Sequence, residues 1–503
     1  MIDRNDAMEA KFTLESERGG IVEEPPFRIL VLGDWSGDAE RRPVEERTPI
    51  EIDRDNFDAT IARLRVRLDL EMEGGTVLPI DFADLDDFHP DQIFRRVPAF
   101  SELRDLRKRL KSPDDFHQAA REVRDRMDVK DEPVDAPAPE VAPSDEPPVE
   151  GGLLDAILTK PSGGAAAPKP GISTDLGHLV NDLVRPYLVS VDENEQSQML
   201  AALDAATSDL MRGILHDRRF QELEAAWRGL FFLVRRTETS PELKIHLYDI
   251  SKSALTDNLK NISSLQDSVL YRHLIRDAIE TPGGEPWAVT LGNYAFEPNV
   301  EDIASLIRIS KLSAAANAPF ISHIRPDVFG VSSLASHPDP DDWNLSAETD
   351  EGKLWSALRG QAEAEFLGMC LPRFLSRLPY GAETDPVESF DFEEFADSTE
   401  HDHYLWSNPC FAAGQLLAES FSAYGWKMGK ALRQDIEGLP IHVYKEDTET
   451  VYKPCSEVLL TQNACERLME YGLMPLVSYK NTDKVKLARF QSVADTALRG
   501  MWS

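Results

Sequence analysis

The chain has 503 residues, 42% of them hydrophobic, enough for two or three domains that each bury a core. Its 54 Lys and Arg stand against 89 Asp and Glu, a net charge of −35, and so acidic a surface repels nucleic-acid backbones and anionic membranes. The two basic stretches do not reverse this: Arg95 and Arg96 are a lone pair, and residues 104–111 (RDLRKRLK) interleave cations with leucines as a solvated helix face does.

Residues 1–25 read as a flexible arm. Their first eleven positions (MIDRNDAMEAK) carry charges where a secretory signal needs an apolar core. Within the arm, Lys11 to Glu15 alternate in the strand sense, so that Phe12 and Leu14 could be donated to a neighbour's sheet. A buried-strand pattern follows at 27–33 (FRILVLG), closed by a turn from Gly33 to Gly37. Ser36 in that turn sits one position late for a nucleophile elbow. Asp53 or Asp55 can cap a helix carrying Phe57, Ile61, Leu64 and Leu68 on one stripe, and a strand is predicted around 76–82. After a turn at 85–91, Phe100, Leu103, Leu106 and Leu110 mark a further helix. Residues 26–128 thus read as a small α/β domain.

Residues 129–174 read as a disordered linker. Acidic, proline-laden sequence fills 131–150, and Gly, Ala and Pro dominate 160–171; neither carries the apolar residues that repay chain ordering. Between them lies an apolar island at 152–159, in which Leu153, Leu154, Ile157 and Leu158 share one face of a short helix. Isolated helices are marginal below roughly 12–15 residues, so the island needs a surface, either a partner's groove or the chain's own body.

From 175 to 236 helical periodicity dominates, with Leu223, Trp227, Leu230 and Val234 on one stripe. Strand signals at 243–247, 287–291 and 319–324 then alternate with helices over 263–279 and 302–316, the pattern of a mixed α/β fold in a body of residues 175–503. No repeat of 20–50 residues is present and no run approaches the roughly 18 apolar residues of a membrane span. Cys370, Cys410, Cys455 and Cys465 lack CxxC spacing, which fits reduced thiols in the cytoplasm. Gly425 to Ala431 has one residue too few between its glycines for a phosphate loop and no hydroxyl after Lys430. His401 and His403, two apart on an expected strand, would point to one side and are the best candidates for a metal site, although no further histidine stands at ligand spacing.

Several blocks carry a family resemblance: 226–230 (AWRGL), 243–255 (LKIHLYDISKSAL), 314–330 (AAANAPFISHIRPDVFG), 367–381 (LGMCLPRFLSRLPYG), 390–411 (FDFEEFADSTEHDHYLWSNPCF), 437–442 (EGLPIH) and 472–493. Together they resemble the large sheath subunit of the bacterial type VI secretion system, TssC or VipB, in order across most of 175–490. Residues 52–57 (IDRDNF), 85–91 (LDDFHPD) and the stripe of 97–110 are similar to the small sheath subunit, TssB or VipA. The resemblance implies a cytoplasmic structural protein without cofactor or catalysis, which self-assembles into a helical homo-oligomer around an Hcp-like inner tube, on baseplate components, and contracts. It also implies a role for Leu153, Leu154, Ile157 and Leu158 as the helix recognised by a ClpV-like AAA+ ATPase. The family's large subunits continue past the region matched by 472–493, whereas this sequence stops at Ser503. That difference motivates an alternative, a non-polymerising paralogue acting as cap, baseplate or regulatory binding protein. A metal-dependent hydrolase built on His401 and His403 is the minor alternative.

If the island serves a partner, replacing Leu154 and Ile157 with Asp leaves circular dichroism and melting temperature unchanged while weakening capture by such an ATPase. Gross unfolding of the variant would place the island in a core.

Overall fold

The computed structural model describes residues 24–72, 76–112, 114–127, 195–344, 348–395, 400–446 and 449–503. Phe12, Leu14 and the island at 152–159 lie outside the described residues. In chain order, β1 (Phe27–Gly33) and β2 (Ile50–Ile52) precede α1 (Phe57–Leu64), a hairpin of β3 (Arg67–Glu71) and β4 (Val77–Asp81), and helices α2 (Pro90–Arg96), α3 (Ser101–Lys111) and α4 (Phe116–Met127). The second part begins with α5 (Glu195–Leu215) and α6 (Arg218–Arg236), then β5 (Leu243–Asp249), α7 (Lys252–Lys260) and α8 (Val269–Tyr271), which continues as a π-helix over Arg272–Glu280. Next come β6 (Val289–Phe296), α9 (Val300–Ala316), β7 (Phe320–Ile324), α10 (Asp350–Arg359), β8 (Leu367–Leu371), β9 (Phe374–Leu375), β10 (Trp406–Ser407) and α11 (Cys410–Tyr424). The chain closes with β11 (Asp435–Ile436), β12 (His442–Glu446), β13 (Glu449–Lys453), α12 (Gln462–Glu470), β14 (Leu473–Ser478) and β15 (Val485–Leu487).

Nine of these strands form one sheet in the order β11-β15-β14-β8-β7-β6-β1-β5-β2. The six from β14 to β5 are parallel, and β2, β15 and β11 run antiparallel to their neighbours. This is the mixed α/β fold read from the sequence. A parallel strand covered on both faces must be apolar on both, and β1 is. Phe27, Ile29 and Val31 enter one core layer with Trp227 of α6 and Phe411 of α11. Leu30 and Leu32 enter the opposite layer, against α7, α9 and α12.

β1 pairs with β5 from Phe27 opposite Leu243 to Gly33 opposite Asp249, and with β6 from Ile29 opposite Val289 to Leu32 opposite Gly292. The strand expected to open a separate small domain is therefore central to a sheet built mainly from residues after 240. The apolar residues of α1, α3 and the β3–β4 hairpin join the same core layer as α5 and α6. Residues 26–128 and the body beyond 195 share one sheet and one continuous core.

Helix and strand positions follow the sequence with informative differences. The stripe expected to run from Phe57 to Leu68 is cut short, because Arg65 takes a left-handed backbone (φ 53°) after Leu64 and Leu68 becomes part of β3. The helix begins after Asn56, while Asp53 accepts hydrogen bonds from the Asp55 and Asn56 N–H groups. The helix expected over 263–279 is broken by Ser268, whose hydroxyl caps α8 at the Tyr271 N–H. His401 to His403 form a 3-10 turn, not a strand.

α6 and α11 cross closely because Gly229 has no side chain: a Cβ there would stand 2.4 Å from the Phe411 ring. Gly229→Ala gains about 1 kcal/mol of helix propensity, but overpacking a closed core costs about 1–3 kcal/mol. The variant is expected to melt at lower temperature, and combining it with Phe411→Leu should recover the loss in the same scan.

Candidate functional site

The seam between the N-terminal segment and the body is held by several buried polar contacts. Its first anchor is Asp249 at the end of β5, a side chain almost entirely shielded from solvent. One carboxylate oxygen accepts the Trp35 N–H (2.9 Å) and the other the Ser36 hydroxyl (2.5 Å). The Ile250 N–H donates to the Gly33 carbonyl (2.8 Å), extending the ladder by one step. Two guanidinium groups complete the anchor: Arg47 donates to the Asp249 carbonyl (2.8 Å), and Arg41 stands 3.8 Å from its carboxylate. The turn needs Gly37, whose φ is +60° and whose Cβ would lie 2.3 Å from the Arg67 carbonyl. Ser36 is thus a structural donor to Asp249. Trp227 of α6 donates its indole N–H to the Trp35 carbonyl (3.0 Å), and its ring meets Trp35 and Phe57 edge-on at 5.3 and 5.7 Å.

A second anchor uses the LDDFHPD block. Asp91 accepts the N–H groups of Glu388 (3.1 Å) and Ser389 (2.8 Å). Burial would raise the Asp91 pKa, but these hydrogen bonds and His89 outweigh it and the carboxyl is held below its ordinary range. Phe94 packs on Phe390 at 4.9 Å. A third anchor is bidentate, Arg107 of α3 to Asp204 of α5 at 2.6 and 2.8 Å, with Gln196 donating to the Leu110 carbonyl (2.6 Å).

Beneath the second anchor lies a buried ionic hub. Arg377 donates to Glu224 of α6 (2.8 and 3.3 Å) and to Glu394 (2.7 and 3.1 Å). Arg228 donates to Glu224 (2.6 Å) and to the Tyr380 hydroxyl (2.9 Å), and the Tyr380 N–H donates to Glu394 (2.7 Å). His89 from the N-terminal segment rests edge-on against the Tyr380 ring at 4.9 Å. Charges so far from water persist only when fully paired. Burial pushes the Glu394 carboxyl up, but Arg377 and the donated hydrogen bonds prevail and bring it down to about 2.

The two histidines singled out by sequence diverge. His401 stacks on Trp406 (5.0 Å) and meets Lys453 Nζ at 3.2 Å, whereas His403 stacks on His216, in the turn after α5, at 3.8 Å. Three residues per turn send positions i and i+2 to different sides, and among the described residues no group of three or more His, Cys, Asp or Glu is placed to hold a metal. Gly425–Lys430 is a 3-10 helix, and a Cβ on Gly429 would stand 2.2 Å from the Trp502 carbonyl. Sequence reasoning assigned no ionic hub to Arg377, Glu224, Arg228 and Glu394. Arg228, Arg377 and Glu394 lie in the quoted blocks AWRGL, LGMCLPRFLSRLPYG and FDFEEF, but nothing in those blocks pairs them with one another.

A mostly parallel, doubly covered sheet with buried ionic anchors has the make-up of a rigid building block. Comparison with known families gives the class: the tail sheath proteins of type VI secretion systems. The VipB family (EvpB, tail sheath N-terminal domain) matches residues 197–494 and the type VI secretion system VipA family matches residues 4–128. The chain belongs to the VipB family and carries a VipA-type segment in the same polypeptide. It is 37% identical over 305 residues to the type VI secretion system sheath protein TssC1 of Pseudomonas aeruginosa, covering 59% of this chain and 61% of that protein. To TssB1, a sheath protein from the same organism, it is 34% identical over 93 residues, 17% of this chain and 54% of that protein. The chain thus spans less than two thirds of the length of either relative. Among the described residues no helix is long and apolar enough to cross a membrane.

The hub yields a pH prediction. Glu394 has its carboxyl lowered from 4.5 to about 2 on folding, so its stabilisation is present above the unfolded value and is lost as pH falls through that interval. Urea titrations should show stability declining on acidification from pH 4.5 towards 2. Glu394→Gln should flatten that part of the profile and lower stability at pH 7, where breaking a buried pair costs roughly 3–5 kcal/mol.

Proposed function

We propose that this chain is a structural sheath subunit in which the parts of a small and a large subunit are joined, and that copies of it assemble in the cytoplasm into a helical tube around an Hcp-like inner tube seated on baseplate components. The observation that carries this reading is the place of β1. A strand from the VipA-type segment lies between two strands of the VipB-type segment, so the joined parts form one folded unit. Covalent linkage turns the pairing of the two parts into an intramolecular step at high effective concentration.

In this reading the work is mechanical and non-enzymatic. The sheath assembles in an extended packing, and a switch to a tighter one releases stored free energy. A rigid sheet transmits force, and contacts between copies rearrange. Strand donation by Phe12 and Leu14 to a neighbour fits a sheet whose edge strands β2 and β11 each have a single partner among the described residues. The island of Leu153, Leu154, Ile157 and Leu158 is proposed as the handle for a ClpV-like ATPase that recycles contracted sheaths.

Negative-stain electron microscopy of the purified full chain, alone and with an inner-tube protein, tests the assembly. Tubes whose length grows with protein concentration are expected. Discrete particles at every concentration, with the tube protein present, would favour a cap or regulatory paralogue and sink the sheath reading.

A further inference from the structure

A cavity of about 670 Å³ opens beside the edge strand β2, between the loop that precedes it and the end of α1. Five arginines reach it: Arg41, Arg42 and Arg47 from the loop, Arg63 and Arg65 from the helix end. In a chain of net charge −35 such a concentration of guanidinium groups is anomalous. Arg41 and Arg47 are already engaged with Asp34 and with Asp249 and backbone carbonyls. Arg42, Arg63 and Arg65 are exposed and have no side-chain hydrogen bond or ion pair among the described residues. Glu40, Glu46 and Asp249 also line the cavity, and Asp249 is committed to Trp35 and Ser36. Three free guanidinium forks around one concavity suit a string of carboxylates, which each fork can bind bidentately.

The same chain supplies such a string. Between 131 and 150 it has seven Asp or Glu and no Lys or Arg. Six prolines in that tract remove backbone donors, so its carboxylates, not strand pairing with β2, are what it offers. We infer that the arginine cavity beside β2 is the docking site of the chain's own acidic tract, residues 131–150. A nucleic acid would find the same arginines but would face the repulsion of the surrounding acidic surface. This inference is independent of the assembly proposed above.

The test uses a fluorescent synthetic peptide of residues 131–150 titrated into two full-length proteins, the unaltered chain and a version whose seven carboxylates in the tract are changed to the corresponding amides. The amide version should bind the peptide in a salt-sensitive manner. Combining Arg42→Gln, Arg63→Gln and Arg65→Asn should weaken binding at least about tenfold, the factor that 1.4 kcal/mol represents. Asn tolerates the left-handed backbone at position 65, so an unchanged melting temperature would show the fold intact. The unaltered chain should bind added peptide more weakly, because its own tract competes. The inference is overturned by absence of peptide binding at low ionic strength, by equal binding to the arginine variant, by equal binding to the unaltered chain, or by tighter capture of single-stranded DNA than of peptide.

Discussion

Backbone hydrogen bonding on both edges of one seven-residue strand ties this molecule together. β1 has β5 on one side and β6 on the other, so its amide groups are satisfied only when both neighbours are present. Unpaired buried amides are costly, and the side chains of β1 are apolar on both faces. The N-terminal segment therefore has no economical way to leave the body once folded. Asp249 fixes the end of the strand, and Trp227 closes over the turn that follows. The arrangement makes residues 26–128 an integral part of the sheet and its core, not an appendage on a linker.

The remaining anchors follow a common physical pattern. Asp91, Asp204 and the Arg377 hub each place a charged group where water is largely excluded and meet it with geometrically matched donors. Such contacts add little net stability over an apolar replacement, but removing one partner leaves an uncompensated charge. The two that cross between the segments, Asp91 and Asp204, therefore discriminate strongly between the correct docking and any displaced one, while the hub fixes the Tyr380 ring on which His89 rests. For a protein whose proposed task is to rearrange contacts with its copies under load, rigidity inside the subunit confines movement to the surfaces between subunits.

Much of the local structure was legible because it is periodic. The stripes of α3 and α6 and the apolar run of β1 follow the 3.6-residue and fully buried patterns that chain geometry imposes. The strand partners were not legible: Phe27 faces Leu243 across 216 residues of sequence (243 − 27), and nothing in FRILVLG names its neighbours. Nor could spacing distinguish a strand from a 3-10 turn at His401 and His403. Their two-residue separation is shared by both conformations, and only the backbone decides whether the rings converge. Arg65 shows the same limit in reverse, since a single residue in a left-handed conformation ended a stripe that hydrophobicity alone would have continued to Leu68. The ionic hub draws on positions 224, 228, 377 and 394, which only the folded chain brings together.

The central place of β1 has a consequence for biosynthesis. Its residues leave the ribosome well before those of its second neighbour, which ends at Phe296, and elongation at about 5–20 residues per second puts that interval at roughly 13–50 s. Until β5 follows, FRILVLG is an apolar segment of high strand propensity with no partner strand of the body, and one of its edges stays open until β6 is made. Prolonged exposure of an apolar strand during translation is thus a direct cost of joining the two parts in this order.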